Sequence, residues 1–290
     1  MVRGILINTL VIGGVYALLA LGFSLIFGIG RILFFCHTAF YMMAAYVLYL
    51  FSKMLGLSLI LSIPLSLGLP ALLGLLCYRF LVEPVREHHN AALMITVGLG
   101  IAIQEGAFGI FGGEYVGVPP LIRGSTRLMG IAVQNQHLLT LGVAALVLLA
   151  VWFFLTKTKP GMAMRAVADD EGVAVIMGIN PARIGMITTA LAMVLAAIAG
   201  VIICPMSTID PEMWMHVLPM LLAIVILGGM GSMKGSIIGA FGVALAEMLV
   251  TFLVPGGSYL RGAVALVVLI AILLVRPEGL FGVAFEEERL

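Results

Sequence analysis

The chain has 290 residues, of which 62% are hydrophobic and only 10% are charged, and its formal net charge is +1. Its mean hydropathy is +1.22. A soluble domain cannot bury that much apolar surface, so the composition excludes a soluble globular protein and predicts a polytopic membrane protein. The near-neutral charge gives no reason to expect nucleic-acid binding.

Apolar runs divide the chain into predicted membrane spans, each needing about 20 residues to cross a bilayer as a helix. We expect spans near 5–29, 38–53, 58–78, 91–112, 137–156, 185–206, 236–254 and 259–275. A shorter run, 217–229, is predicted to be a half-helix or one half of a broken pair. The predicted fold is an all-α polytopic bundle of about 8–9 transmembrane helices with one or two broken or re-entrant segments. It forms a single transmembrane domain, 1–290.

The positions of lysine and arginine predict the orientation of the bundle. If the polar loop 157–184 is cytoplasmic, alternation of the spans places ten of the 15 basic residues on the same side as that loop. The N-terminus is then outside and the C-terminus inside, provided that 217–229 crosses; if it is re-entrant, the parity breaks. We expect 113–136, rich in glycine, proline and polar residues, to be an irregular outside loop.

No catalytic or nucleotide-binding motif occurs in the sequence. A Walker A motif is excluded because no Gly-Lys-Ser/Thr is present. The three cysteines, Cys36, Cys77 and Cys204, have no metal-site spacing. We therefore expect a chain that is not an enzyme, binds no metal or cofactor, and does not hydrolyse ATP by itself.

Ionisable residues inside predicted spans are candidates for function. Glu105 follows Gln104 in one span, and Glu247 lies in another. A charged group costs about 2.5–3.5 kcal/mol at a helix centre, so each should face the bundle interior, a partner or water. Each either lines a polar path or makes a structural hydrogen bond between helices. His37 begins a helix after Arg31, and either contacts an anion or caps a break.

A glycine-rich segment separates two apolar runs: Gly228-Gly229-x-Gly231-Ser232-x-x-Gly235. It permits close backbone approach, and it offers the N–H groups of the next helix to an anion. A plain helix–helix crossing is the alternative. A similar glycine-containing break precedes His37. Two breaks at matching places in two halves would indicate a central binding path, unless the match is chance.

The loop 157–184 is predicted to hold two short helices, 161–168 and 170–177. Acidic residues at the start of the second helix and Gly178 after it are typical helix boundaries. The small residues Ala168, Ala174 and Gly178 would let another protein approach the surface of this loop closely. The loop is therefore either a solvated connection or a docking surface for another protein.

This loop fits the pattern Ala-x-Ala-x-Asp-x-x-x-Ala-x-x-x-Gly-Ile, met by Ala166, Ala168, Asp170, Ala174, Gly178 and Ile179. It resembles the coupling loop of LivH-type permease subunits of branched-chain amino acid ABC transporters. Further segments resemble that family: Pro84-Val85-Arg86, Thr96-x-Gly98 with Gln104, the glycine-rich segment and Arg276-Pro277-x-Gly279-Leu280-Phe281-Gly282. One place departs. Where the family commonly has Asn-Phe-Ala-His-Gly-Glu, this chain keeps only Phe35 and His37.

The resemblance implies a multi-pass permease subunit of a bacterial inner-membrane importer for branched-chain or related amino acids. The implied partners are a LivM-type permease, two ABC ATPase subunits carrying ATP-Mg, and an external substrate-binding protein. The six loop residues would dock on the ATPase. The predicted translocation path comprises Phe35, His37, Thr96, Gln104, Glu105, Gly228, Gly229, Gly231, Ser232 and Glu247. Urea, short amides and other small carboxylates stay open as substrates, as does a proton-driven secondary transporter using Glu105 or Glu247.

Overall fold

A computed structural model describes residues 2–86, 88–128, 131–275 and 279–281. Within these ranges the chain forms eleven α-helices and two short strands. The helices are α1 (Val2–Gly30), α2 (His37–Tyr49), α3 (Leu59–Cys77), α4 (His89–Phe111), α5 (Asn135–Lys157), α6 (Lys159–Asp169), α7 (Glu171–Ile176), α8 (Pro181–Ile203), α9 (Met213–Gly228), α10 (Met233–Leu253) and α11 (Arg261–Val275). π-Helical turns extend α2 through Met54 and α3 through Val82.

Six described helical segments are long and apolar enough to cross a membrane: those containing α1, α3, α4, α5, α8 and α10. α2, α9 and α11 are shorter, with 13, 16 and 15 residues. Helices satisfy their own backbone hydrogen bonds, which is what a lipid environment demands of a spanning segment. The predicted all-α polytopic class is confirmed.

The helix order defines two ends of the bundle. α6 and α7 connect the end of α5 to the start of α8 and form the α6–α7 hairpin (residues 159–176). Gly28, near the end of α1, lies beside this hairpin, since a Cβ on Gly28 would be 4.0 Å from the Cβ of Ala168 and 3.6 Å from the oxygen of Gly231. We call this the hairpin end, and the other the distal end. α9 starts at the distal end and finishes at the hairpin end, so the segment predicted at 217–229 crosses the bundle.

α1 and α8 form the centre of the bundle. α1 packs mainly against α8 and α10, and α8 also packs against α2 and α3. α1 is apolar on all sides, as expected of a helix surrounded by others, and its Leu18 and Phe23 are fully buried. The peripheral helices α3, α4, α5 and α11 expose large apolar side chains such as Leu61 and Leu146. Their outer faces therefore suit lipid or a second membrane protein.

A strand hairpin interrupts the distal loop that was predicted to be irregular, so that prediction is wrong for part of the loop. β1 (Ser125–Leu128) and β2 (Ile131–Gln134) are antiparallel, and Thr126 pairs with Val133. Residues with branched Cβ atoms favour extended backbone, which outweighs the glycine-rich composition nearby. Val116 of the same loop pairs through its backbone with Ile209, which ties the loop to the segment before α9.

Candidate functional site

The break after α1 turns back into the bundle. α1 ends at Gly30, and α2 begins at His37, but the His37 ring lies far from the hairpin end. Its Nε2 is 3.2 Å from the carbonyl oxygen of Leu19, and a Cβ on Gly22 would be 2.8 Å from its Cε1. His37 is fully buried. The helix of the span predicted at 38–53 therefore begins beside the middle of α1, inside the bundle. Residues 31–36 return into the core before this helix starts.

Helix α4 forms hydrogen bonds to the returning segment 31–36 and to the start of α9. The hydroxyl of Thr96 donates to the carbonyl of Leu33 at 3.2 Å, within the returning segment. Near the distal end, the indole N–H of Trp214 donates to the Gln104 Oε1 at 2.6 Å. Phe35 is half-buried and packs against the core. Phe35, Thr96 and Gln104, all predicted for the translocation path, therefore hold the break and α4 in place; their transport role stays a prediction.

The hydrogen bond between Gln104 and Trp214 should contribute to stability. Replacing Gln104 with leucine leaves the buried indole N–H without its acceptor, which should lower the free energy of unfolding by about 1–3 kcal/mol. Thermal unfolding of the purified chain in detergent measures this. Glu105→Leu is the matched control, because Glu105 is exposed and should cost nothing. Equal melting temperatures for the two variants would contradict the assignment.

The two glutamates within predicted spans, Glu105 and Glu247, occupy different environments. Glu105 lies on the outer face of α4 and is exposed. It does not face this chain's own interior, because α4 turns Ala92, Thr96 and Gly100 inward. Of the three surroundings predicted for the Glu105 side chain, the bundle interior is excluded, and a partner protein or water remains. Glu247 is buried in α10, and its Oε2 accepts a hydrogen bond from the Tyr16 hydroxyl at 2.9 Å.

The glycine-rich segment is a tight turn between two helices in backbone contact. A Cβ on Gly235 would lie 1.8 Å from the carbonyl oxygen of Gly228, so only glycine lets α9 and α10 approach this closely. Ser232 caps α10, since its Oγ accepts from the Gly235 N–H at 3.2 Å. Ser236 in the first turn shares a buried hydroxyl hydrogen bond with Ser24 of α1. These contacts support the helix-crossing interpretation of Gly228, Gly229, Gly231 and Ser232.

The C-terminal motif closes the end of α9. The N–H of Leu280 donates to the carbonyl of Leu227 at 2.7 Å, and that of Phe281 donates to Gly228 at 3.2 Å. The last carbonyls of a helix have no partner within the helix, so the tail supplies two of the missing donors. Two motifs distant in the sequence thus form one structural unit at the hairpin end. The rest of the predicted C-terminal motif, 276–278 and 282, lies outside the described residues.

Most of the predicted coupling residues fold the α6–α7 hairpin rather than cover its surface. Asp170 caps α7 by accepting from the Val173 N–H at 2.9 Å. Gly178 has φ +81°, and the next N–H, of Ile179, donates to the carbonyl of Ala174 at 3.0 Å. Ala174 is only 2% exposed. The boundaries agree within two residues with the predicted helices, because caps were readable in the sequence. Ala166 and Ala168 are half-buried.

The exposed surface of the hairpin is apolar and was missing from the predicted site. Ile176 is 85% exposed, Met177 is 77% exposed and Val173 is 56% exposed. These three residues, which we call the apolar tip, have no cover within the described chain. The run Val175-Ile176-Met177 directly before Gly178, which holds two of the three tip residues, was the available signal. A short helix cannot bury so many consecutive apolar residues.

An ion pair joins the two loops at the hairpin end. Arg86, after α3, donates to the carboxylate of Glu171 at the start of α7. Burial lowers the pKa of the Arg86 guanidinium, but the hydrogen bond and charge of Glu171, together with Tyr78 and Glu83, outweigh burial and raise it. Both side chains are partly exposed, so the pair contributes at most about 1 kcal/mol. It sets the position of the hairpin against the α3–α4 loop.

The bundle, with its buried break, its buried polar groups and its uncovered apolar tip, defines a polytopic membrane protein with a surface suited to a partner. Residues 5–273 match the family described as "Branched-chain amino acid transport system / permease component". The chain belongs to this family.

Similar proteins agree with this assignment over nearly the full chain. The chain is 26% identical to the high-affinity branched-chain amino acid transport system permease protein BraD of Pseudomonas aeruginosa, covering 96% of this chain and 94% of BraD. It is 28% identical to LivH of Salmonella typhimurium (95% and 94% covered) and 27% identical to the probable LivH of Methanocaldococcus jannaschii (98% and 93%). The fold resembles PsaBC from Streptococcus pneumoniae, solved in complex with Fab, with TM-score 0.51, 14% identity, and 94% and 92% of the chains covered.

Proposed function

We propose that this chain is a membrane subunit of an ATP-driven importer for branched-chain amino acids in a bacterial inner membrane. Its partners are a LivM-type second permease, two ABC ATPase subunits that bind ATP-Mg, and an external substrate-binding protein. The chain itself carries out no covalent chemistry. It alternates access between the two sides of the membrane while its partners hydrolyse ATP.

The apolar tip is the observation that carries this proposal. Ile176 and Met177 are almost fully exposed at an end of the bundle that also holds the charged residues Arg86 and Glu171. An apolar patch rimmed by polar groups is typical of a protein–protein contact. The hairpin is joined to the bundle through Arg86 and through the packing of α6 against α1, where Ala168 lies near Gly28. A protein that binds and moves the tip can therefore act on α1 directly.

Gly178 supplies a first test of the hairpin's role. The residue has φ +81°, a conformation that a branched side chain adopts only with strain, and its Cβ would meet no other atom. Gly178→Val should therefore distort the turn after α7 while the membrane bundle still inserts and folds. We expect ATP hydrolysis in the assembled transporter to continue without uptake. Normal uptake by this variant would contradict docking through the hairpin.

Uptake by the assembled transporter tests the function itself. The chain is purified with its co-expressed ATPase, second permease and binding protein, and reconstituted in liposomes. We expect leucine uptake that requires ATP on the hairpin side, is competed by isoleucine and valine, and is abolished by a catalytically inactive ATPase. Urea, acetamide and butyrate are the comparison substrates.

Two results would overturn the proposal. Uptake by this chain alone, driven by a pH gradient without ATP, would indicate a secondary transporter. ATP-dependent uptake of urea, acetamide or butyrate without uptake of leucine would keep the ATP-driven mechanism and reject the substrate. Glu105→Gln and Glu247→Gln, tested in the same liposomes, report whether either carboxylate carries protons.

A further inference from the structure

Arg86 lies close to two carboxylates at the hairpin end. Its guanidinium donates to Glu171, at the start of α7. The second carboxylate is Glu83, which begins the 3₁₀ turn Glu83–Val85 directly before Arg86. Residues three apart lie above one another in a 3₁₀ helix, so the side chains of Glu83 and Arg86 lie on the same side of this turn. The charge of Glu83 also raises the pKa of Arg86, in keeping with a short separation.

Glu83 has a hydrogen-bond acceptor that the present arrangement does not use. Its Oε2 is buried and has no hydrogen-bond partner within the described part of the chain. A guanidinium carries five N–H donors, whereas the hydrogen bond to Glu171 involves only one nitrogen of Arg86. Buried carboxylate oxygens are costly when no donor reaches them. Arg86 therefore has both the position and the spare donors to serve as a partner of Glu83.

The two carboxylates differ in how much they need Arg86. The Glu171 side chain is 44% exposed, so water takes the place of Arg86 when the two separate. An exposed ion pair is worth little, because water competes for both partners. The open oxygen of Glu83 is buried, and a donor from the protein satisfies it at once. Pairing with Glu83 can therefore offset the loss of Glu171, which leaves the two arrangements close in free energy.

Glu83 adjoins a contact chain that leads into the bundle. The hydroxyl of Tyr78 lies close to the Glu83 carboxylate. Tyr78 is only 2% exposed, and a Cβ on Gly185, near the start of α8, would lie 2.9 Å from its hydroxyl oxygen. The Tyr78 ring centroid lies 6.3 Å from that of Phe34, in the returning segment 31–36. A change at Glu83 thus acts on α8 and on the break after α1.

We propose that Arg86 exchanges Glu171 for Glu83 during the transport cycle, with Glu83 as the positioning residue that receives it. In this structure Arg86 holds the hairpin through Glu171. When an ATPase moves the hairpin away, Arg86 turns to the buried oxygen of Glu83, and Glu171 is left in water. The α3–α4 loop is then free of the hairpin without an unpaired guanidinium. The inference rests on the proposed function, because it needs an ATPase that moves the hairpin.

Reversal of the charges tests whether Arg86 needs one partner or two. Arg86→Glu should lower ATP-driven leucine uptake at least about threefold, because both pairings are lost. Adding Glu171→Arg restores the first pairing with reversed charges, but the new carboxylate at position 86 faces Glu83. We expect uptake to stay low in this double variant and to recover when Glu83→Lys is added. Full uptake by the double variant would overturn the exchange, since one fixed ion pair would then be sufficient.

A distance measurement observes the exchange without uptake. Nitroxide labels at His88→Cys and Met162→Cys, two exposed positions, report the separation between the α3–α4 loop and α6. The three native cysteines are replaced by alanine, and the chain is assembled with its ATPase. We expect a short distance without nucleotide and a second, longer distance with ATP bound to a catalytically inactive ATPase. A single distance in both conditions would overturn the exchange.

Two amide variants should shift these distances in opposite directions. Glu171→Gln should raise the fraction at the longer distance about threefold without nucleotide, and Glu83→Gln should lower it by a similar factor with ATP. Asp169→Asn is the matched control, since it removes an exposed carboxylate of the same hairpin that is not paired with Arg86. Equal distributions in Glu83→Gln and the parent would also overturn the exchange. ATP-dependent distances without leucine uptake by the parent would instead reject the proposed function and keep the exchange.

Discussion

Replacing Gly235 with alanine should destabilise the bundle strongly, because the new Cβ would lie 1.8 Å from the carbonyl oxygen of Gly228. That neighbour is backbone, so α9 and α10 must separate. We expect the free energy of unfolding to fall by at least about 2 kcal/mol, as for other overpacked sites. Thermal unfolding in detergent and the yield of monodisperse protein measure the effect.

Gly242 provides the matched control on the same helix. A Cβ there would meet only a side-chain atom of Leu227, at 3.7 Å, which is ordinary contact. Alanine is also favoured over glycine within a helix by about 0.5–1 kcal/mol. Gly242→Ala should therefore be neutral or stabilising, opposite in sign to Gly235→Ala. Equal melting temperatures for the two variants would mean that α9 and α10 are not in close contact at Gly235.

Ile176→Asp should uncouple the transporter without unfolding this chain. The side chain is 85% exposed, so the bundle loses no packing when it becomes charged. If the apolar tip docks on an ATPase, however, the charge is buried without a partner, at a cost typical of interface hot spots, about 2 kcal/mol or more. Leucine uptake should then fall at least about tenfold, since 1.4 kcal/mol corresponds to tenfold.

The conservative variant distinguishes docking from damage to the hairpin. Ile176→Leu preserves the apolar surface and should retain uptake. For Ile176→Asp, the melting temperature of the chain alone should match the parent, while co-purification of the ATPase should weaken. Undiminished uptake and co-purification in the aspartate variant would show that the ATPase binds elsewhere.

Local signals in the sequence were sufficient for the hairpin and for most helices. Asp170 and Gly178 mark the boundaries of α7 because capping and a positive φ depend on residue type alone. Hydropathy likewise located α1, α4, α5 and α10. It also located the helix predicted at 38–53, which spans 37–54. Apolar content does not reveal that this helix starts inside the bundle, where residues 31–36 return into the core.

The facing direction of side chains depends on contacts between distant segments, and there the sequence was insufficient. Glu105 and Glu247 are both glutamates in apolar runs, so the sequence does not distinguish them. The structure does, because α4 lies at the periphery and α10 packs against α1. A cavity of about 350 Å³ that is lined by residues from several helices is the clearest example. Tyr16, Tyr41 and His137 belong to three different helices, and neither spacing nor hydropathy relates them. The apolar run that contains Ile176 and Met177 is visible in the sequence, but only the hairpin shows that these two side chains are exposed rather than buried within it.

The pairing of Leu280 and Phe281 with the end of α9 bears on biosynthesis. Translation proceeds from the N-terminus, so α9 emerges from the ribosome before α10, α11 and the tail. Until the tail follows, the carbonyls of Leu227 and Gly228 lack the donors they have in the finished protein. The turn between α9 and α10 is therefore completed only after every described helix has been made, and a nascent chain stopped at residue 275 still lacks these two hydrogen bonds.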